Sequence, residues 1–264
     1  MKKILVTAFS LFTLSTFAQD TPTADAVIEK YITAIGGKDA IAKIQDLTIN
    51  STSETQRGTS ETEVKFKFPD RYSMSVYMNG NEVMGTIYDG TKIKSTGFGG
   101  GGGFGGGGGN RGGATGTPAT GGAAGGTRPP QEGKEAQMAA MRANPFPELL
   151  YDKMGITRTV IGKEKVGEKD AYKLELSTAE GRKWNDYFDV ETGLKVKTYS
   201  VNETPRGKFE NSVQYLNYKK FKGMDVLIPS QTKRSAGQMG EIVSEVQSVK
   251  MNKGLKDSEF VIKE

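Results

Sequence analysis

The 264-residue sequence contains no cysteine and no histidine. Without cysteine the chain forms no disulfide, and without both residues it offers no thiolate or imidazole ligand to a metal ion. Nucleophilic mechanisms that pair Cys or Ser with His are excluded for the same reason. Histidine is also the commonest general base near neutral pH, so an enzyme of this composition would depend on carboxylate, Lys or Tyr side chains.

Motifs of known catalytic or nucleotide-binding sites are missing as well. There is no Gly-x-Ser-x-Gly, no Ser-x-x-Lys and no His-Glu-x-x-His, and the glycines form neither a P-loop nor a dinucleotide turn. Asp186 and Asp189 would point to opposite faces of a strand, and we expect Asp189 to cap the following turn. Glu61 and Glu63 share a strand face but are typical of solvated cross-strand partners. We therefore predict a non-enzymatic protein without cofactor or metal, and a hydrolase that depends on Asp186 is the least supported alternative.

The excess of positive charge is small. The formal net charge is +5, and it falls to +3 if Lys2 and Lys3 are removed with a leader peptide. Such a weak excess on a chain of this length does not indicate a nucleic-acid partner. A weak peripheral attraction to anionic membrane surfaces stays open.

The first 18 residues have the pattern of a cleaved export signal. Lys2 and Lys3 precede an uncharged run of 14 residues from Ile4 to Phe17, and Thr16 and Ala18 lie at −3 and −1 of a cut before Gln19. The run is short for a bilayer span, and no cysteine follows it for lipid attachment. These features predict a periplasmic protein that is not lipid-anchored.

A glycine-rich segment interrupts the chain at about residues 97–130. Residues 97–126 hold 18 of the 35 glycines, and Arg111 is their only charged residue. A segment with so few side chains buries too little surface to offset its ordering entropy, so we predict a disordered loop. The rest of residues 19–264 is expected to form a single domain.

Most of that domain reads as antiparallel strands. The residues from Val166 to Tyr218 form four runs of alternating apolar and polar residues, separated by turn residues, and Asn79-Gly80 is a strong hairpin signal. Because helices and strands do not alternate along the chain, a parallel sheet is not expected. The pattern predicts an α+β domain with about ten or eleven strands, in which one face of the sheet is apolar and the other is polar.

Two short helices precede the strands. A stripe of apolar residues is spaced as on one helix face, and it comprises Val27, Ile28, Tyr31, Ile32 and Ile35. Thr21 or Thr23 is available as the N-cap, and Gly36-Gly37 is available for the C-terminus. The stripe either packs permanently on the sheet or forms a movable lid over an apolar groove.

The apolar face of the early strands is rich in methionine and aromatic residues. It comprises Val64, Phe66, Phe68, Tyr72, Met74, Val76 and Met78. Methionine is flexible and polarisable, so such a face suits either an irregular core or a pliable wall for acyl chains. The pattern alone leaves both interpretations open.

Several local patterns together resemble a known family. They are Ile28-Glu-Lys-Tyr-Ile-Thr-Ala-Ile-Gly-Gly-Lys-Asp-Ala-Ile41, Tyr187-Phe-Asp-Val-Glu-Thr-Gly-Leu194, Ile228-Pro229, and the closing set Asn252, Leu255, Asp257 and Phe260. The chain resembles the outer-membrane lipoprotein-sorting (LolA/LolB-like) superfamily, in the form common in exported proteins of Bacteroidetes. The resemblance covers nearly all of the chain after the signal except the glycine-rich insertion, which is foreign to carriers of the family.

The resemblance implies an unclosed antiparallel β-barrel with helices covering its concave face, which in carriers holds acyl chains. Carried over to this chain, the helix with the Val27–Ile35 stripe would be the lid. The wall of the ligand cavity would add Leu174, Leu176, Trp184 and Phe188 to the seven residues of the early strands. No residue matches the latch arginine of the carriers.

The sequence is therefore consistent with two functions. The first is a non-enzymatic periplasmic binding protein for a lipid or for the acyl chain of a lipoprotein, expected to be a monomer with possible contacts to envelope proteins or the membrane surface. The alternative is a structural or protein-interaction module of the cell envelope without a lipid ligand.

Overall fold

A computed structural model of the chain describes residues 21–55, 58–97, 129–204, 207–236 and 240–263. The predicted export signal and nearly all of the glycine-rich segment lie outside the described residues. Their predicted roles therefore stay predictions.

Within these residues the chain forms thirteen strands, more than the ten or eleven predicted from the sequence. They are β1 (Asp46–Thr55), β2 (Gly58–Lys67), β3 (Arg71–Met78), β4 (Asn81–Tyr88), β5 (Lys92–Gly97), β6 (Gln131–Glu132), β7 (Thr157–Val166), β8 (Lys169–Ser177), β9 (Lys183–Asp189), β10 (Lys195–Thr204), β11 (Gly207–Lys220), β12 (Leu227–Ala236) and β13 (Glu241–Met251). The two-residue β6 carries too little pattern to be recognised. The sequence also predicts a last strand over Phe260–Lys263, and this prediction is wrong, because Asp257–Phe260 is a short 3-10 helix and no strand follows it in residues 261–263.

All thirteen strands belong to one antiparallel sheet, as expected. Their order is β6-β5-β4-β3-β2-β1-β13-β12-β11-β10-β9-β8-β7. The chain thus builds one meander outward from β1, crosses to the opposite edge, and returns by a second meander until β13 pairs with β1. Strands β6 and β7 are the two free edges, so the described sheet is unclosed.

The sheet is strongly curved. Strands β3 and β9 are seven strand spacings apart, which would be roughly 34 Å in a flat sheet. Nevertheless Tyr72 of β3 and Phe188 of β9 belong to one continuous core. A sheet that bends around its core brings such distant strands together, in agreement with the predicted open antiparallel barrel.

Three helices are found in the described residues, namely α1 (Ala24–Ala34), α2 (Lys38–Ala42) and α3 (Gly133–Ala143), and a 3-10 helix follows α3 at Pro147–Leu150. The side chain of Thr23 caps α1 by accepting a hydrogen bond from the Ala26 backbone N–H at 3.2 Å, which settles the choice of N-cap. At the other end, the Gly37 N–H donates to the Ile32 carbonyl at 2.8 Å. The predicted glycine terminus of α1 is therefore confirmed.

The helices cover the concave side only in part. Helix α1 runs along the second meander, since Asp25 pairs with Arg158 of β7 and the Leu227 N–H at the start of β12 donates to the Ile35 carbonyl at 2.8 Å. Helix α3 lies beside β3, β5 and β6 in the first meander. Because α3 and the 3-10 helix belong to the connection from β6 to β7, the topology itself places them across the gap between the free edges.

Pro229 lies inside β12, although proline cannot donate to a β-ladder. The pairing between β12 and β13 begins only at Gln231, while Pro229 pairs on one side with Tyr218 of β11. A proline inside the run Val226–Pro229 predicts an edge strand or a bulge, and at this position β12 is in effect an edge strand.

Replacing Gly36 with Ala is expected to destabilise the protein by about 2–4 kcal/mol, because two effects add. Gly36 has φ of +130°, which side chains rarely adopt, and a Cβ there would lie 2.9 Å from the backbone oxygen of Asp225. Gly223→Ala is the matched control, since Gly223 also has positive φ (+82°) but has nothing within 4 Å of its would-be Cβ. Urea denaturation should show a clearly larger loss for Gly36→Ala, and equal losses would contradict the role of the contact.

Among the described helices, none has both the length and the apolar character needed to cross a membrane.

Candidate functional site: a cavity inside the curved sheet

A cavity of about 460 Å³ lies between the concave face of the sheet and the α3 connection. Its floor is one row of paired residues that crosses five neighbouring strands. Ile49, Val64, Met74, Thr86 and Ser95 follow each other from β1 to β5 as direct cross-strand partners. Since cross-strand partners point to the same side of a sheet, their register alone places all five side chains on the cavity.

The other walls come from the second meander and from the helices. Strands β10 to β12 contribute Lys195, Val213, Tyr215, Tyr218, Ile228, Thr232 and Arg234, and the α3 connection contributes Glu135, Ala139, Arg142, Pro147 and Glu148. Tyr31 lines the cavity from α1. The floor is therefore largely apolar, while the opposite side carries both apolar and charged groups.

Charged residues on that opposite side do not lie free in the cavity. Arg182, just before β9, pairs with Glu135 at 3.2 Å, and the guanidinium of Arg142 lies over the Trp184 ring at 5.6 Å. Burial, assisted by the nearby charge of Arg182, lowers the pKa of Arg142 to about 10. The Trp184 ring and helix α3 thus hold the Arg142 guanidinium at the boundary of the cavity.

A smaller cavity of about 170 Å³ adjoins the first through three shared residues, Phe66, Tyr72 and Asn144. Phe68 and Tyr88 also line it, and Phe68 stacks on Phe146 with ring centroids 6.4 Å apart. The aromatic residues of the early strands therefore form the boundary between the two cavities.

The structure divides the eleven residues predicted for the ligand wall into two groups. Val64, Phe66, Tyr72 and Met74 line the larger cavity, and Phe68 lines the smaller one. The others are not among the lining residues of either cavity: Val76, Leu174, Leu176, Trp184 and Phe188 are buried, and Met78 is half-buried. A ligand-binding role for the whole set stays a prediction.

The stripe predicted as a lid is buried throughout. Val27, Ile28, Tyr31, Ile32 and Ile35 are each no more than 9% exposed, and all belong to the main core. The Tyr31 ring lies 5.4 Å from that of Phe188. The structure therefore shows α1 packed as part of the core, and its movement as a lid stays a prediction.

A group of buried charged side chains lies at the wall formed by β9, β10 and the 3-10 helix. The Lys195 ammonium is 2.8 Å from Glu148 Oε1 and 3.0 Å from Asp186 Oδ2, and all three side chains are at most 7% exposed. Asp186 accepts two further hydrogen bonds, from the Tyr151 hydroxyl at 2.8 Å and the Thr198 hydroxyl at 2.6 Å. We call Glu148, Lys195 and Asp186 the buried triad.

The two carboxylates of the triad differ in how well they are satisfied. Both oxygens of Asp186 have partners, whereas Glu148 Oε2 is buried and accepts no hydrogen bond from another described residue. Burial raises the pKa of Glu148, and the negative charge of Asp186 adds to this effect against the opposing influence of Lys195. Burial alone would lower the pKa of Lys195, but the two carboxylates outweigh it and the pKa is raised.

Sequence reasoning missed Lys195 because of a β-bulge. The alternation of Leu194 and Val196 with Lys195 and Lys197 predicts that both lysines lie on the charged outer face, but Lys195 is buried inside. The register of β10 against β9 shifts between Lys195 and Lys197, so Val196 is the extra residue and packs on the outer face with Tyr187. The expected orientation of Lys195 and Val196 is therefore wrong, and no single-sequence pattern marks such a shift.

The two aspartates of β9 have separate roles, as predicted. Asp186 is in the triad, whereas Asp189 Oδ1 accepts hydrogen bonds from the Glu191 and Thr192 backbone N–H groups at 2.9 and 3.0 Å. The turn-capping role of Asp189 is confirmed. In the part of the chain that the structure describes, no three acidic residues are grouped so that they could hold a metal ion.

The raised pKa of Glu148 has a consequence for stability. Between the ordinary carboxyl pKa near 4.5 and the raised native value, the folded state holds a proton that the unfolded state has lost. The free energy of unfolding therefore decreases as pH rises through this interval. Glu148→Gln removes the titration, so the melting temperature of the variant minus that of the wild type should increase from pH 4.5 to 7. A difference in melting temperature that does not change with pH would contradict the raised pKa of Glu148.

The curved open sheet with helices on its inner side defines a class of fold that solved structures share. A LolA superfamily protein from Nitrosomonas europaea matches with a TM-score of 0.54 at 13% identity, over 92% of this chain and 99% of that chain. A DUF1329 family protein from Desulfovibrio piger matches with the same TM-score and identity, over 91% and 98%. No protein-family model and no curated protein matches the sequence. The chain thus has a LolA-like fold, and the resemblance predicted from the sequence is confirmed at the level of the fold.

Proposed function

We propose that the protein is a non-enzymatic binding protein for an amphiphilic ligand with an apolar chain, such as a lipid or an acylated protein. The observation that carries the proposal is the cavity of about 460 Å³ on the concave face, which falls within the range of roughly 300–1,000 Å³ typical of small-molecule sites. A cavity of this size with a largely apolar floor is suited to a ligand with an apolar part.

The length and the apolar residues of the cavity floor favour a ligand with an apolar chain over a compact polar ligand. The row from Ile49 to Ser95 crosses five strands, so it is about 19 Å long at the usual spacing between strands. Three of its five members are apolar, and Phe66, Tyr72 and Ile93 lie beside them. An extended hydrocarbon chain buries most of its surface against such a row.

The proposal includes export. The predicted signal at residues 1–18 would deliver the chain to the periplasm, where lipids and lipoproteins cross between membranes. Intact-mass measurement of the protein from a periplasmic extract should give a chain that begins at Gln19. A mass that includes residues 1–18 would contradict this part of the proposal.

The ligand proposal can be tested by narrowing the cavity. Val64→Trp places an indole on the floor, where Val64 pairs with Ile49 and Met74. We expect the affinity for N-phenyl-1-naphthylamine, an apolar fluorescent probe, to fall about tenfold or more, because the indole occupies volume that the probe would fill; a tenfold change corresponds to about 1.4 kcal/mol of binding free energy. Fluorescence titration measures the affinity, and thermal melts confirm that the variant folds.

Met78→Trp is the matched control, because Met78 lies on the neighbouring β3, half-buried and outside the cavity lining. It should bind the probe as the wild type does. Equal affinities of all three proteins would mean that the probe does not enter the cavity. Native mass spectrometry of the protein from an envelope fraction should in addition show a bound amphiphile, and repeated absence of one would overturn the proposal.

A further inference from the structure

The buried triad forms part of the cavity wall, and its one unsatisfied atom belongs to a residue that lines the cavity. Glu148 and Lys195 both line the cavity, while Asp186 lies behind them with its oxygens satisfied. The Glu148 side chain is 1% exposed, yet Oε2 accepts no hydrogen bond from another described residue. An unsatisfied buried oxygen costs free energy, so a ligand group that satisfies it would be bound selectively.

From this arrangement we infer that the cavity binds an amphiphile through a hydroxyl group that hydrogen-bonds to Glu148 Oε2. The inference rests on the proposed function, because it names the polar end of the same ligand. Glu148 lines the cavity, and the terminal torsion of a glutamate is broad, so rotation of the carboxylate can turn Oε2 toward a group in the cavity.

A hydroxyl fits the site in either protonation state of Glu148. It donates a hydrogen bond to the ionised carboxylate, and it accepts one from the protonated carboxyl group. An ether or ester oxygen can only accept, so it leaves the ionised carboxylate without a donor. A hydroxyl is therefore the simplest group that satisfies Oε2 under all conditions.

Charged head groups fit this position less well. An anionic group at Oε2 would be repelled by Glu148 and by Asp186 behind it. A cationic group would enter a cavity whose wall carries Arg142, Arg182 and Arg234 in addition to Lys195. The charge distribution thus favours a neutral hydrogen-bonding group next to the triad.

The test compares 1-dodecanol with its methyl ether, which has the same chain but carries a methyl group in place of the hydroxyl hydrogen and so has no O–H donor. Displacement of the fluorescent probe gives both affinities over a pH series, because only the ionised carboxylate discriminates between a donor and an acceptor. At the alkaline end of the series, with Glu148 ionised, we expect the wild type to bind the alcohol about 10- to 100-fold more tightly than the ether, which is the usual effect of leaving a buried polar group unsatisfied.

Two variants assign this preference to Glu148. Glu148→Leu makes the wall apolar and leaves Lys195 paired with Asp186, and the alcohol and ether should then bind within about threefold of each other. Glu148→Gln keeps the shape of the side chain and replaces Oε2 by an amide donor, from which both ligands can accept a hydrogen bond. It should reduce the preference for the alcohol as much as Glu148→Leu does, and it provides the test if the Leu variant fails to fold. Glu135→Gln is the control, since Glu135 lines the same cavity but is exposed and paired with Arg182; it should keep the wild-type ratio.

The possible outcomes separate the two proposals. If no ligand binds, the proposed function fails, and the inference fails with it. If both ligands bind the wild type equally, or if Glu148→Gln keeps the full preference for the alcohol, only the inference is overturned. Tighter binding of dodecylammonium than of dodecanol, lost in Glu148→Leu, would also overturn it by showing that the site takes a cation. A merely structural role of Glu148 would change both affinities in parallel and leave their ratio unchanged.

Discussion

Lys195→Met is expected to destabilise the protein by about 3–5 kcal/mol at neutral pH, the usual cost of removing one partner from a buried ion pair. The substitution leaves the carboxylates of Glu148 and Asp186 buried together without the ammonium that lies 2.8 and 3.0 Å from them. Urea denaturation followed by Trp184 fluorescence measures the change in stability, because Trp184 is buried in the main hydrophobic core.

The loss caused by Lys195→Met should diminish in mild acid. Protonation of Glu148 removes one of the two unpaired charges, and its pKa is already raised in the wild type. Lys197→Met is the matched control, since Lys197 lies two positions along β10, half-buried on the outer face over the Tyr187 ring. We expect it to cost no more than about 1 kcal/mol. Equal losses for the two variants would show that the triad does not contribute specifically to stability.

Phe188→Ala is expected to destabilise the protein by about 3–5 kcal/mol, because it opens a void in a filled core. Phe188 is 1% exposed, packs against Tyr31 and is not among the residues that line either cavity. Denaturant unfolding measures the change. The same substitution at Phe209 of β11, which is 41% exposed, is the control and should change stability by no more than about 0.5 kcal/mol.

The Phe188 experiment also tests the residues that the family resemblance assigned to the ligand wall. If Phe188 contacts the ligand, its removal should weaken binding of the apolar probe with little loss of stability. If Phe188 belongs to the core, as its burial indicates, the loss of stability should be the larger effect of the substitution. A large loss of affinity at unchanged stability would therefore contradict the core assignment.

The fold class could be predicted from the sequence because local patterns carry it. Alternation along β3 and β8 placed Tyr72, Met74, Leu174 and Leu176 on the inner face, and all four are buried or partly buried in the main core. Turn residues bounded the strands, and the glycine pair Gly36-Gly37 ended α1 where expected. These features depend on neighbours within a few residues, so sequence spacing is sufficient to show them.

The candidate site could be predicted only in part. Val64, Phe66, Tyr72 and Met74 were recognised and line the larger cavity, but Glu148 and Lys195 were not recognised. Pro147 followed by Glu148-Leu-Leu-Tyr-Asp-Lys153 predicts the first turns of a helix, and nothing in this pattern marks Glu148 for a special role. It lies in a 3-10 helix whose position depends on how the β6–β7 connection crosses the open side of the barrel.

By itself the sequence determined that this is an antiparallel sheet with one apolar face, since strand periodicity and turn chemistry are local properties. Only the tertiary structure decided that a cavity of about 460 Å³ remains inside the curved sheet, because its volume depends on how far distant strands bend around α1 and α3. It also decided that Glu148 meets Lys195, 47 residues away, since the bulge at Val196 turns Lys195 inward. Long-range register and curvature arise from the packing of the whole chain, which no short stretch of residues encodes.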